Sequence, residues 1–353
     1  MLKKTMRKLF AGFVTLGFLI TGCASTSQKK LSRLELIQQR NELICGVSGK
    51  IPGFSFLNSN GNYQGLDVDI CKAVAAGIIG SSEKVQYRPL TAAERFTALR
   101  TGEIDFLSRN TTFNLSRDAI GGNGLLFAPV VFHDGQGLMV RKDSNIKGIN
   151  DLESKAICVG SGTTTEQNIN DAFEGNSLSY TPVKYQDLNL VIAGYLQGRC
   201  AAMTSDRSQL AAARSSFKNP SEHIILENVM SKEPLAPASV GNDEELGDAI
   251  RWIIYSLISA EEQGITQSNI NDKLKLAKND TKLKPLRRFL GIEGDFGQKI
   301  GLKNDFVVKI IKQTGNYGEI YNRHLGPNSN VPIKRGLNQL YTKGGVLISP
   351  PFN

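Results

Sequence analysis

Short apolar runs alternate with helix-spaced stretches along most of this chain, and that alternation leaves few folds open. Leu43–Val47 reads as a strand, residues 65–78 as a helix, 84–90 as a strand and 91–102 as a second helix. The rhythm returns further on, with strands at 155–160, 180–185 and 200–204 and a helix at 187–197. Strands interleaved with helices predict open α/β sheets rather than a bundle or a sandwich. Local signals agree. Ile70, Val74 and Ile78 recur at i, i+4 and i+8, a stripe that would face a sheet. Thr91 and Glu94 have the spacing of a capping box, Gly102 closes that helix, and residues 58–61 read as a hairpin turn. Asp67 and Asp69 fall near a helix start, where negative charge is favoured, and that role is preferred to catalysis.

A chain of 353 residues has room for two such units. Its formal charge of +9 overstates its basicity, because Lys3, Lys4, Arg7 and Lys8 crowd the start. Beyond residue 22, 38 Lys+Arg stand against 33 Asp+Glu, and the cations are scattered. No basic helix or aromatic–basic stripe suggests nucleic acid.

The basic start is followed by a twelve-residue apolar run, 9–20. That is too short to span a membrane and right for a signal-peptide core. Ile20-Thr21-Gly22-Cys23 then resembles a bacterial lipobox, in which Cys23 would carry the lipid, with 24–30 as a polar tether. The alternative is an ordinary secretory signal with an incidental Cys. Either way the protein is expected outside the cytoplasm, away from its ATP and nicotinamide pools. Four cysteines remain, Cys45, Cys71, Cys158 and Cys200, and an oxidising compartment allows three pairings. One bridge per α/β stretch gives Cys45–Cys71 and Cys158–Cys200, against the alternative of buried thiols. No Cys-x-x-Cys supports zinc, and neither a metal nor a cofactor is expected.

The polarity changes abruptly after the apolar run 104–106. The segment 107–118 brings Asn110, Thr111 and Thr112, the flat ring of Phe113, and the planar cation of Arg117. Ligand crevices of open α/β sheets lie at such strand ends, and an Arg there can grip a carboxylate through two parallel bonds. The competing reading is a solvated loop. Downstream, 161–166 reads as a glycine turn opening a helix, either an anion site or simple capping by Thr163. It lacks the Gly-Lys-Ser/Thr of a phosphate loop. Asp206 leaves a strand end, either to hold an ammonium or to cap the next helix. His133, His223 and His324 are scattered, and no Ser/Cys–His constellation, His-Glu-x-x-His or Gly-x-Ser-x-Gly is visible.

The stretch Gly65-Leu-Asp-Val-Asp-Ile-Cys-Lys-Ala-Val-Ala-Ala-Gly-Ile78 resembles the signature of the family 3 bacterial extracellular solute-binding proteins. The general L-amino-acid-binding subgroup is most similar. Three segments carry this: 45–48 with Pro52-Gly53-Phe54, 109–113 with Ser116-Arg117-Asp118, and 162–166. The resemblance implies a two-lobe, type II periplasmic-binding-protein-like α/β fold with two crossover strands and a C-terminal helical extension. The divisions would be a lipoprotein signal at 1–22, tether and lead-in helix at 23–41, one lobe from 42–137 plus 238–353, and the other from 138–237. Residues 137–142 and 234–241 would be the crossings. It also implies a monomer that is not an enzyme, captures free L-amino acids and delivers them to an ABC permease, anchored to the membrane by its lipid. Arg117 matches the carboxylate-gripping Arg, Thr112 and Thr164 its helpers, and Asp206 the acid that holds the ammonium. Asn110 stands where narrower relatives carry Ser, and Arg109 and Thr165 also depart from their pattern. Phe54 is the candidate for the stacking aromatic. Two other classes remain in view: an enzyme on the same fold, such as a cyclohexadienyl dehydratase, and a sensor feeding a receptor.

Overall fold

The computed structural model describes residues 31–353. The expected signal sequence, Cys23 lipobox and tether lie outside the described residues.

Two five-stranded sheets form the framework. In the first, Val85–Pro89, Leu43–Val47 and Phe106–Leu107 run parallel, and Ala238–Val240 and Leu125–Phe127 complete it antiparallel to their neighbours. In the second, Thr181–Tyr185, Ala156–Gly160 and Ala202–Asp206 are parallel, followed by antiparallel Gln136–Arg141 and His223–Ile225. Each sheet belongs to one lobe. The lobes are joined by Phe132–Asp134 and Glu233–Leu235, which pair antiparallel with each other outside the two large sheets, and Leu235 also bridges to Thr112. The sequence placed the outgoing crossing at 137–142. That segment instead sits inside the second sheet, because its residues Gly137, Leu138, Met139 and Val140 are buried between two strands. The crossing comes earlier, at the more polar Phe132-His133-Asp134.

Helix 66–79 is buried on nearly every side, because the C-terminal extension covers the face turned away from the first sheet. Helices Glu244–Glu262, Phe306–Thr314 and Tyr317–Leu325 pack against it or each other in the largest core. This gives Asp69 a use that its helix position did not suggest. It pairs with Arg323 and with His324, the latter at 2.7 Å, and so ties the extension to the first lobe. Burial opposes its ionisation, but the His324 bond and the charges of His324, Arg323 and Lys72 hold its carboxyl below the ordinary range.

The extension also grips the outgoing crossing. The Tyr317 hydroxyl donates to the Val131 carbonyl at 2.5 Å, and the Asn338 amide accepts from His133 N at 2.6 Å and donates to His133 O at 3.1 Å. The C-terminal Phe352 ring meets Trp252 and Phe289 edge-on. The segments 316–320 and 350–352 are therefore packing elements.

The bridges are Cys45–Cys71 and Cys158–Cys200, one in each lobe. Each fastens a strand to a neighbouring element of its own sheet layer, the first to helix 66–79 and the second to the turn before Ala202–Asp206.

Candidate functional site

The two sheets point the C-terminal ends of their parallel strands at a shared cavity of about 300 Å³. The first wall is a loop. After Phe106–Leu107 the chain turns through Ser108 to Thr112, all buried, with Asn110 in the left-handed region at φ 36°. The loop is stitched to the returning crossover: Phe113 N donates to Pro234 O at 2.8 Å and Ala236 N to Thr111 O at 2.9 Å. The second wall has two parts. Ala156–Gly160 ends in a turn that needs Gly162 at φ 71°, and Thr163 then caps the helix Thr164–Gly175 by accepting from Glu166 N. Ala202–Asp206 ends at Asp206, which makes no capping bond to its helix but accepts from Gln209 Nε2 at 2.6 Å.

Asn110, Thr112, Thr164 and Asp206 all line the cavity. Arg117 is buried just behind it. Its Nη1 donates to the Thr112 carbonyl at 2.9 Å, and its guanidinium lies 5.2 Å from the centre of the Phe96 ring. The remaining guanidinium nitrogens have no hydrogen-bond partner among the described residues.

The two aromatic candidates are elsewhere. Phe54 is only 1% exposed, in the first-lobe core, with its ring edge-on to Phe132 at 5.2 Å. Its carbonyl accepts from Asp67 N at 2.9 Å and lies 2.1 Å from where a side chain on Gly65 would begin. That close approach pins the ring beneath the helix start. Phe113 is 38% exposed and stacks on Phe127 at 4.7 Å. It follows Thr112 in a bridged, extended segment, where successive side chains point to opposite faces. Neither is a stacking platform, and no aromatic ring lines the cavity among the described residues.

Two cations that the sequence left unassigned are part of the site. Arg95, at the first position of its short helix, and Arg109 both line the cavity and are buried. Among the described residues no carboxylate comes within 4 Å of Arg95, Arg109 or Arg117. Burial, then the neighbouring Arg117 and Arg109, hold Arg95 well below the usual guanidinium range, against the pull of Asp206. Burial likewise lowers Arg109 to about 10, with Asp67 opposing. Arg95 Nε and both amide atoms of Asn110 are buried without hydrogen-bond partners among the described residues. Burial of a charged residue at a helix start marks Arg95, and that is visible only in the fold.

The opposite sign gathers across the cavity. Burial, then the charges of Asp134 and Glu233, raise the Asp206 carboxyl well above its ordinary range. Burial pushes Asp134 up to about 6. Lys50 bridges to Asp187 at 2.9 Å, joining the lobes at the cavity's rim. Buried unpaired charge is expensive, and like charges held together are typical of functional clefts. The cavity is thus bipolar, with guanidiniums on one side and a carboxyl on the other, and suits a small zwitterion. No group of three or more His, Cys, Asp or Glu among the described residues is placed to hold a metal.

Two lobes, two crossover strands and a polar cavity between the lobes define a two-lobe solute-binding protein. Over residues 43–327 the chain matches the family model for bacterial extracellular solute-binding proteins, family 3, and it belongs to that family. It is 46% identical over 347 residues to the general L-amino acid-binding periplasmic protein AapJ of Rhizobium johnstonii, covering 98% of each chain. It is 42% identical over 346 residues to the glutamate/glutamine/aspartate/asparagine-binding protein BztA of Rhodobacter capsulatus, covering 98% of this chain and 99% of that one. Among solved structures, an ABC transporter periplasmic binding protein from Brucella ovis with glutathione bound superposes with a TM-score of 0.86. It is 41% identical, and the match covers 92% of this chain and 100% of that chain.

Proposed function

We propose that this protein captures free L-amino acids outside the cytoplasm and hands them to an ABC permease. One observation carries the reading: a buried, bipolar cavity between the lobes, with guanidiniums on the first wall and Asp206 on the second. A zwitterion that spans them neutralises both poles, and because its two ends sit on different lobes it favours the closed arrangement. The free nitrogens of Arg117 grip the carboxylate from behind Thr112, Asp206 holds the ammonium, and the start of helix Thr164–Gly175 supplies backbone N–H groups.

Arg95 and the partnerless amide of Asn110 exceed what one carboxylate requires. They give the cavity a second polar subsite, so ligands with acidic or amide side chains belong to its range. The Rhodobacter relative, a glutamate/glutamine/aspartate/asparagine-binding protein, supports this. The protein is a monomer without catalytic activity, and Cys23 carries the lipid that tethers it to the membrane. A thermal-shift screen over the twenty amino acids tests the reading. Stabilisation by several L-amino acids, but not by their D-enantiomers, is expected; no shift with any of them overturns it. Mass measurement of Cys23 at the mature N-terminus tests the anchor.

A further inference from the structure

Glu233 stands on the returning crossover strand, 1% exposed, and does not line the cavity. Its two carboxylate oxygens receive four donors from three parts of the molecule. From the first lobe comes the Thr112 hydroxyl, at a short contact. From the second-lobe helix come the Thr164 hydroxyl at 2.9 Å and the Asn168 amide at 2.7 Å. From the crossover itself comes the Ser231 hydroxyl at 2.6 Å. Four donors fill the capacity of an ionised carboxylate, which only accepts.

The consequence concerns the threonines. A hydroxyl has one proton, and Thr112 and Thr164 both place theirs on the same Glu233 oxygen. Their oxygens, 3.3 Å apart on opposite walls, therefore offer lone pairs to the cavity that both residues line. Lone pairs receive an ammonium and repel a carboxylate. An ammonium seated there would start a chain from N–H through O–H to a buried carboxylate, and such chains strengthen each member by polarisation. Asp206 lies close enough to Glu233 for its carboxyl to feel that charge.

We propose that Glu233 is a positioning residue for the ligand's α-ammonium. It turns both threonine hydroxyls into acceptors and, through them, adds a second negative charge to the pole built on Asp206. This rests on the amino-acid reading above. It also assigns the carboxylate end to guanidinium and backbone N–H groups rather than to the threonine hydroxyls. The same residue fastens the two walls together at the crossover.

The test is a double-mutant cycle by titration calorimetry with L-glutamine, or L-alanine if glutamine gives no heat. It uses wild type, Glu233→Gln, Thr112→Val and the double variant. Glu233→Gln is expected to weaken binding at least tenfold in the wild-type background and by a factor at least threefold smaller once Thr112 is Val, because one of the two arms of the chain is already cut. A merely structural Glu233 would give the same loss in both backgrounds, and that result overturns the proposal. So does wild-type affinity, within threefold, in Glu233→Gln. If circular dichroism shows that Glu233→Gln does not fold, Thr112→Val and Thr164→Val decide, since both leave Glu233 in place. Each should lose at least tenfold, and losses below threefold overturn the proposal. If wild type binds none of the twenty amino acids, the amino-acid reading itself fails; if wild type binds and the cycle shows no coupling, only the role of Glu233 fails.

Discussion

Replacing Asp206 by Asn should move stability and binding in opposite directions. The side chain is 4% exposed, and its one hydrogen-bond partner among the described residues is Gln209 at 2.6 Å. Burial and the charges of Asp134 and Glu233 hold its carboxyl well above the ordinary range. A carboxyl raised in the folded state favours folding only below its unfolded pKa, and that contribution is lost as pH rises through the folded value. At neutral pH the raised carboxyl therefore costs the fold stability, and Asn, which keeps the shape and can still meet Gln209, relieves it. Removing one such liability contributes about 0.5–2 kcal/mol, or a rise of about 1–4 °C in Tm without added amino acid. Binding should suffer, because the ligand ammonium loses its buried partner. Truncating one member of a buried charge pair costs about 2–5 kcal/mol; an isosteric amide belongs at the low end, and about 2–3 kcal/mol is roughly a 30- to 160-fold rise in Kd. Differential scanning fluorimetry and calorimetry measure the two quantities. An Asp206→Asn variant that binds within threefold of wild type, or that loses Tm and affinity together, would refute the argument.

Arg117→Ala should abolish useful amino-acid binding, and a calorimetric Kd within a few-fold of wild type would refute its carboxylate role. Arg95→Met should weaken L-glutamate at least tenfold while changing L-alanine less than threefold; equal losses for both would place Arg95 outside the side-chain subsite. Burial raises Asp67 to about 6 from an ordinary 3.8, so its contribution to stability falls as pH rises between those values. Asp67→Asn should thus raise Tm more at pH 8 than at pH 4, and a gain independent of pH would contradict this. Removing the Cys158–Cys200 bridge, with a sequence separation of 42, by the double Ser variant should lose about 4 kcal/mol in guanidinium unfolding under oxidising conditions. An unchanged midpoint would contradict that.

The strand–helix rhythm was legible because helix spacing and strand runs are local. Leu43–Val47 falls where the apolar run predicts it, and Thr91 and Glu94 exchange the expected capping bonds. The cavity residues on either wall were legible for a related reason: polar side chains follow apolar strands at Asn110 and Thr112, and again at Asp206. What escaped was whatever depends on a partner distant in sequence. Phe54 was the candidate for the stacking aromatic by resemblance, yet Phe132, far along the chain, takes its ring. Asp69 looked like a helix-end charge, but its partners Arg323 and His324 come from the extension. Arg95 and Glu233 carry no local mark at all. Arg95 is a helix residue that only the folded wall turns toward the cavity, and Glu233 a strand residue that only the fold sets behind the threonines of both walls.

The grip of the C-terminal extension on the outgoing crossover has a mechanical consequence. Val131 and His133 are clamped by Tyr317 and Asn338, whereas the returning segment is held by the site loop itself. One tether is splinted by the tail and the other is sewn to the binding wall, so they cannot bend alike. Trimming the tail from Tyr317 onward would loosen the splint and leave the sewn strand to bear the flexing alone. Distant residues of the extension would then govern how readily the jaws part, without ever meeting the cargo.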